Sequence, residues 1–295
     1  MKQAKEIRRK IKSITSIQHI TRAMKMVSAA KFKKAQNRFS GIKAYYARIK
    51  QTINDLESYL KSIGHNYIKG IENAASTRCF VVITGDKGLC GSFNMNVCKE
   101  VEAQVLKAHK EGFESILITI GTKGYDYFNK RGYNIHFSTP LQKPDPKFED
   151  VSEVVTAIMD VFESGDAAEV YIINTKFLSS ISYATKTEKV LPFKFDEPAN
   201  EDNSAAMAKD FKFEPTPNSI IEYLLPRFVK MHIFSAIVES SCSEQGSRMI
   251  TMSSATDKAQ EMIGSLTLVL NRARQESITS ELLDINGGVE ALKKK

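Results

Sequence analysis

The residues best placed for chemistry lie in one glycine-rich stretch, Thr84–Gly91 (TGDKGLCG). It follows an apolar run, Cys79–Thr84 (CFVVIT), of the kind that forms a fully buried strand. A dinucleotide fold carries its phosphate loop at such a strand end. The glycines here are Gly85, Gly88 and Gly91, which is G-x-x-G-x-x-G and not G-x-G-x-x-G. The second apolar run, Ser115–Ile120, leads into Gly121 with no acid for a ribose hydroxyl. The three glycines are therefore read as a structural turn in which Gly supplies positive φ, and Gly121–Gly124 (GTKG) is read the same way. Asp86 beside Lys87 offers an acid–base pair, but an Asp there is better used to cap the turn. A G-x-x-x-x-G-K-[ST] loop is absent, so the sequence offers no Walker-type cradle for ATP.

The other reactive types give weaker signals. His19, His65, His109, His136 and His232 are scattered, with no H-E-x-x-H pair. Cys79, Cys90, Cys98 and Cys242 form no C-x-x-C pair and no zinc spacing. No metal or cofactor is expected, and the thiols read as small core residues of a reduced compartment. One further cluster stands out near the end, Asn271–Thr279 (NRARQESIT). Arg272, Arg274 and Gln275 there offer several donors that suit acidic loops on a partner.

The elements that carry these residues are unequal in length. From about Asn218 to Leu283 a helical pattern is interrupted only by Pro226, Gly246 and Gly264. At about 1.5 Å per residue it would span roughly 100 Å, which argues for a coiled coil, a membrane span or a repeat array. Polar residues are too frequent for a membrane span, and no repeat is visible. Its seam is read as Met249, Met252, Thr256, Ala259, Ile263, Leu266, Val269 and Leu270. The partner is at the other end of the chain, where residues 2–61 hold no proline and only Gly41. Ile7, Ile11, Ile14, Ile17, Ile20, Met24, Val27 and Ala30 recur every three or four residues and predict one apolar stripe. Two such helices can pair as an antiparallel hairpin. If they start level, the longer one leaves a single-helix tip near the C-terminus.

Between them, apolar runs alternate with helical patterns: Cys79–Thr84, a helix over about Met95–His109, Ser115–Ile120, a helix near Lys123–Lys130, and a weak strand at Asn134–Phe137. A helix at Val151–Phe162, a strand at Glu169–Lys176 and an edge strand at Tyr183–Phe193 follow. This alternation predicts a mostly parallel sheet with right-handed crossovers. The acidic stretch Asp196–Asp210 is expected to be a mobile loop. The fold class is thus an inserted, Rossmann-like α/β domain (62–215) between two coiled-coil segments (1–61 and 216–295).

The chain has 295 residues and a net charge of +8, with 42% apolar and 26% charged residues, as in ordinary globular proteins. The first fifty residues hold fifteen Lys or Arg against one acid, Glu6, so the rest is net acidic. Nucleic acid, an anionic membrane or an acidic protein could each attract such a basic helix. Its cations ring the helix and interleave with the apolar seam, which favours an acidic protein over DNA. No apolar segment follows the basic start, so no signal or transit peptide is expected.

Three blocks identify a family: Ile7–Gln36 (IRRKIKSITSIQHITRAMKMVSAAKFKKAQ), Thr84–Asn94 (TGDKGLCGSFN) and Ser243–Gly288. In this order they resemble the γ subunit of bacterial F-type ATP synthases, over essentially the whole chain. The resemblance implies a rotor. The terminal helices would form a shaft inside a hexamer of α and β subunits, and the α/β domain would sit against the ε subunit and the c-ring. ATP would bind on α and β, so this chain would be a non-catalytic subunit without cofactor. It would touch the membrane only through the ring, at the cytoplasmic face of a bacterial inner membrane. By position, Met24 and its neighbour Lys25 lie where the family's shaft meets the moving lever of β. Arg274, Gln275 and Thr279 resemble residues that hydrogen-bond a loop of β. Arg22 replaces a usual Lys, Asp86-Lys87 a common Asp-Arg, and Gly246-Ser247 a common Ala-Ala pair; Gly246 is expected to soften the shaft. A shaft that turns in a sleeve is further expected to have a charged exterior. The rival readings are a nucleotide-binding α/β enzyme and a basic coiled coil that binds nucleic acid.

Overall fold

A computed structural model describes residues 2–56, 61, 64–141, 146–193 and 217–293. Contacts group the chain into two compact units, 29–247 and 1–28 with 248–295. Two helices, α1 (Lys2–Asp55) and α6 (Pro217–Lys293), contribute to both.

The unit 29–247 is built on a five-stranded sheet of order β3-β2-β1-β4-β5. Its strands are β1 (Thr77–Ile83), β2 (Glu114–Ile120), β3 (Ile135–Thr139), β4 (Glu169–Phe177) and β5 (Tyr183–Leu191). The first four pair in parallel and β5 closes the edge antiparallel to β4. A short helix α2 (Asn66–Lys69) precedes the sheet, and α3 (Phe93–Lys110), α4 (Thr122–Asn129) and α5 (Ser152–Glu163) form the crossovers. Side chains alternate across a strand, so β1 feeds two cores. Phe80 and Val82 meet Val97 and Val101 of α3 and Phe128 of α4 on one face. Cys79, Val81 and Ile83 join Ile158 of α5, Phe39 of α1 and Ile233 and Ile237 of α6 on the other. Coverage of both faces explains why the central strands read as unbroken apolar runs. This is the α/β sheet between two long terminal helices that the sequence predicts. The stretch Asp196–Asp210, expected to be a loop, lies outside the described residues.

In this unit α6 departs from the coiled-coil reading. Phe228, Val229, Met231, Ile233, Phe234, Ile237 and Val238 are all buried, and they point to every side of the helix. A helix that is apolar all round belongs in a core. Phe32 and Phe39 of α1 meet Phe177 of β4, with ring centroids 5.9 and 6.1 Å apart. Gly246, expected to soften the helix, is instead a close-packing point. A Cβ there would stand 3.3 Å from Phe32 Cε2.

In the unit of 1–28 with 248–295, α1 and α6 pair antiparallel. Gln18 Nε2 donates to Gln260 Oε1 at 2.6 Å, and the Thr256 hydroxyl donates to Thr21 Oγ1 at 2.8 Å. The α6 seam is close to that expected: Met252 and Ala259 are buried and Thr256, Ile263, Leu266 and Leu270 half-buried, while Val269 faces out. The α1 seam differs from the sequence reading. It runs through Ile7, Ile11, Ile14, Gln18, Thr21, Met24 and Ser28, whereas Ile17, Ile20 and Val27 are 50%, 59% and 54% exposed. Apart from Met24, these seam residues are spaced by four and three (seven from Thr21 to Ser28), which holds a seam on one line. The repeated steps of three from Ile14 to Ile17 to Ile20 rotate off it. The exterior is therefore not simply charged, since Met26, Met262, Leu268 and Val269 are exposed as well.

Candidate functional site

Two places collect the residues that the sequence singles out. The first is the turn after β1, in the unit 29–247. Several of its amides and side chains are already engaged. Gly85 N–H donates to Asn94 Oδ1 at 2.9 Å. Thr84 Oγ1 accepts from Gly124 N–H at 2.9 Å, and Asp86 Oδ1 accepts from Thr122 N–H, Thr122 Oγ1 and Leu141 N–H at 2.8, 2.9 and 3.0 Å. Asp86 thus caps the start of α4 and ties the loop after β3 to it, which is a positioning task. Gly121 has φ of +100°, and a Cβ there would fall 2.1 Å from the Thr84 carbonyl oxygen. The close approach of the two turns demands glycine at that point.

Within Thr84–Gly91 the glycines serve different ends. Positive φ falls at Gly91 (60°) and at Leu89 (62°), but not at Gly85 or Gly88. Gly85 is bare because α6 leans on it, and a Cβ there would meet Glu244 Oε1 at 2.7 Å. A Cβ at Gly88 would meet nothing within 4 Å. Ser247 Oγ, further along α6, donates to the Cys90 carbonyl at 2.6 Å and accepts from Tyr183 Oη at 2.8 Å. Open α/β sheets bind ligands outside the carboxyl ends of their strands, where the strand order reverses. Here that crevice holds the chain's own α6, with a buried carboxylate beside the glycine that would approach a phosphate. Anion binding at a helix start needs free amides and favours no neighbouring negative charge. This arrangement offers neither at Gly85.

The buried thiols are chemically quiet. Burial pushes Cys79 and Cys98 up to about 12 and Cys242 up to about 11, and Cys90 is buried too. Among the described residues no group of three or more His, Cys, Asp or Glu could hold a metal ion. No helix among them is long and apolar enough to cross a membrane.

The second place is the surface of the unit formed by 1–28 with 248–295. Met24 is half-buried in the seam and Lys25 exposed beside it. Arg274, Gln275 and Thr279 are exposed on α6, and the Thr279 hydroxyl donates back to the Gln275 carbonyl at 2.9 Å. The pairing of Thr21 with Thr256 places Met24 level with residues near 253. Met24 and Arg274 are therefore about 30 Å apart along the pair, at 1.5 Å per residue. The five residues thus fall at two separate places along the pair. The same register carries α6 past the first residue of α1 near position 277. Beyond it Ile278, Leu282, Leu283, Ile285 and Val289 are all exposed. The sequence reading missed this apolar surface. Its signal was the run of Ile278, Leu282, Leu283, Ile285 and Val289 in the part of the longer helix expected to extend as a single-helix tip.

Comparison with known proteins gives one consistent result. The ATP synthase family model matches residues 3–292. The ATP synthase gamma chain of Alkaliphilus metalliredigens is 35% identical, covering 98% of each chain. That of Bdellovibrio bacteriovorus is 38% identical, covering 99% of this chain and all of its own. A chain from the Euglena gracilis mitochondrial ATP synthase (OSCP, F1 and c-ring) superposes with a TM-score of 0.68 at 18% identity, covering 98% of this chain and 94% of its own, and so shares the fold.

Proposed function

This chain belongs to the ATP synthase gamma-chain family, and on that footing we propose that it is the central rotor shaft of an F1Fo ATP synthase. Ion-driven rotation of the c-ring turns it, and its changing face drives conformational change at catalytic sites on neighbouring subunits. During ATP hydrolysis the same coupling runs in reverse. The chain itself carries no catalytic residue in this reading. ATP binds on the α and β subunits, and the crevice after β1 serves as a joint between sheet and shaft helix. Residues 1–61 and 216–295 supply the shaft segments and 62–215 the α/β domain that meets ε and the ring. The complex sits at the cytoplasmic face of a bacterial membrane, and this subunit reaches the membrane only through the ring.

The observation that carries the reading is the antiparallel pair whose seam holds buried Thr21 and half-buried Gln18 and Thr256 while Ile17, Ile20 and Val27 face outward. Large exposed apolar surfaces mark contact sites, and an α3β3 sleeve would cover this one. Met24 with Lys25 and Arg274 with Gln275 and Thr279 then serve as two contact points for β, at different heights. The nucleotide-enzyme reading is disfavoured by the filled crevice. The test is co-purification: the full chain should bring down α, β, ε and c subunits. Arg274→Ala with Gln275→Ala should weaken coupling or assembly while the sheet stays folded. Unchanged assembly and ATPase activity in that variant would remove the pair from the contact surface.

A further inference from the structure

We propose that α6 is keyed to the sheet against rotation about its own axis by a ladder of polar contacts, and that Ser247 is the terminal rung. The ladder climbs one face of α6 in steps of three and four. The Ala236 carbonyl accepts from Asn174 Nδ2 at 3.5 Å, and Glu239 Oε1 accepts from Phe177 N–H at 3.1 Å. The Ser243 hydroxyl then donates to the Thr175 carbonyl at 3.4 Å. Ser247 ends the series with the two shortest contacts, to the Cys90 carbonyl at 2.6 Å and from Tyr183 Oη at 2.8 Å. It is fully buried. Its hydroxyl joins the turn after β1 to the first residue of β5, with α6 between them.

The physical point is direction. Apolar burial holds α6 in the core but is non-directional, so it resists twisting weakly. Hydrogen bonds fail steeply with distance and angle. An atom about 4 Å from a helix axis moves about 1 Å when the helix turns by roughly 15°. A contact of 2.6 or 2.8 Å that lies along such a shift passes out of hydrogen-bonding range or is compressed, and one that lies across it loses its angle. A helix held this way passes torque to its sheet instead of slipping under it. The proposal rests on the rotor reading, which makes Ser247 a positioning residue for torque transfer.

The same interface supplies its own control. Ser240 lies on this buried face of α6, and its hydroxyl has no hydrogen-bond partner. Deleting it should be neutral or stabilising, because no bond is lost. Ser247→Ala and Ser240→Ala should therefore differ in hydrogen exchange of the full chain. The reporters are Leu178 N–H and Ser179 N–H, both bonded to the Ser182 carbonyl, and Phe93 N–H, bonded to the Cys90 carbonyl. S247A should exchange about five- to thirtyfold faster at these amides, the loss of one or two net hydrogen bonds, and S240A no faster than the parent. Tyr183→Phe added to S247A should change little further, since the two share one bond. In vesicles the assembled S247A complex should hydrolyse ATP at the parent rate but pump fewer ions per ATP against an opposing gradient.

Parent-like exchange in S247A, or equal acceleration by S240A, overturns the key. Faster exchange with an unchanged pumping ratio overturns the positioning role. If the parent chain fails to co-purify with the other synthase subunits, the rotor reading falls, while the exchange data still judge the key.

Discussion

The phase of the α1 seam makes a sharp prediction, because Ile7 and Ile17 differ by ten residues and would be taken for equivalent by spacing alone. Ile7 is 8% exposed and Ile17 50% exposed. Truncating a fully buried Ile to Ala forfeits about 0.8 kcal/mol for each methylene-sized group removed. For Ile7→Ala this comes to about 2 kcal/mol, with little cavity penalty, since an open-sided two-helix seam can collapse onto the gap. Ile17→Ala should cost at most about 1 kcal/mol, because half of that side chain is already in water. Native-state hydrogen exchange along α1 in the full chain reads the difference locally. Amides between residues 8 and 24 should speed up about thirtyfold in the first variant and no more than about fivefold in the second. Equal acceleration, or a larger effect from Ile17→Ala, would refute the seam described above. In the assembled complex Ile17→Ala should still weaken assembly, since its exposed half is what a sleeve would cover.

Three further outcomes are expected. Gly121→Ala should be severe, about 3–5 kcal/mol by urea unfolding, since positive-φ strain adds to a clash with the Thr84 carbonyl. Gly112→Ala, with φ of +83° and open space around it, should cost only about 1 kcal/mol. Burial alone would raise the Glu188 carboxyl, but hydrogen bonds from His232 and Lys186 outweigh it and hold the pKa at about 2. A depressed carboxylate stabilises the fold fully above its ordinary value of 4.5 and loses that contribution as pH falls toward 2. Glu188→Gln should accordingly flatten the acid limb of a stability profile below about pH 4.5, and an unchanged limb would remove Glu188 from the account. All four thiols should resist a disulfide reagent at pH 8 until denaturant is added, since each is buried and Cys79, Cys98 and Cys242 titrate well above that pH.

How much was legible in the sequence depended on whether a local signal matched the final surroundings. The strands were legible because parallel strands with both faces covered must be apolar throughout, and CFVVIT or EVYIINTK has few other uses. The edge place of Tyr183–Phe193 was legible too, whereas the strand order β3-β2-β1-β4-β5 and the antiparallel sense of β5 emerge only in the folded sheet. The α1 seam was misjudged because Ile17, Ile20 and Val27 are more apolar than Gln18, Thr21 and Ser28, and hydrophobicity alone prefers them inside. The α6 side decides otherwise: its seam is small and partly polar at Met252, Thr256 and Ala259, and it accepts the polar α1 line through the Thr21–Thr256 contact. The glycine spacing of the turn after β1 argued against a phosphate loop, but it did not reveal that Gly85 and Gly88 lack the positive φ expected of them. The reason for Gly85 was hidden, because Glu244 lies 159 residues away in sequence and only the fold brings it there.

The outward apolar residues carry the argument from fold to assembly. A two-helix pair folding for itself would gain by turning Ile17, Ile20 and Val27 into the seam and Gln18 and Ser28 out, at about 25 cal/mol for each Å² of apolar surface removed from water. This sequence does the reverse, and it continues with Ile278, Leu282, Leu283 and Ile285 where α1 has already ended. Such a pattern is costly for an isolated chain and reasonable for one whose outer face is buried by others. The polar seam adds a second effect, since buried polar positions in a coiled coil specify register at some expense in stability. Fixed register inside and apolar contact outside are what a shaft needs if neighbours are to feel its orientation. A pair with the opposite pattern would be the more stable peptide and the poorer transmitter.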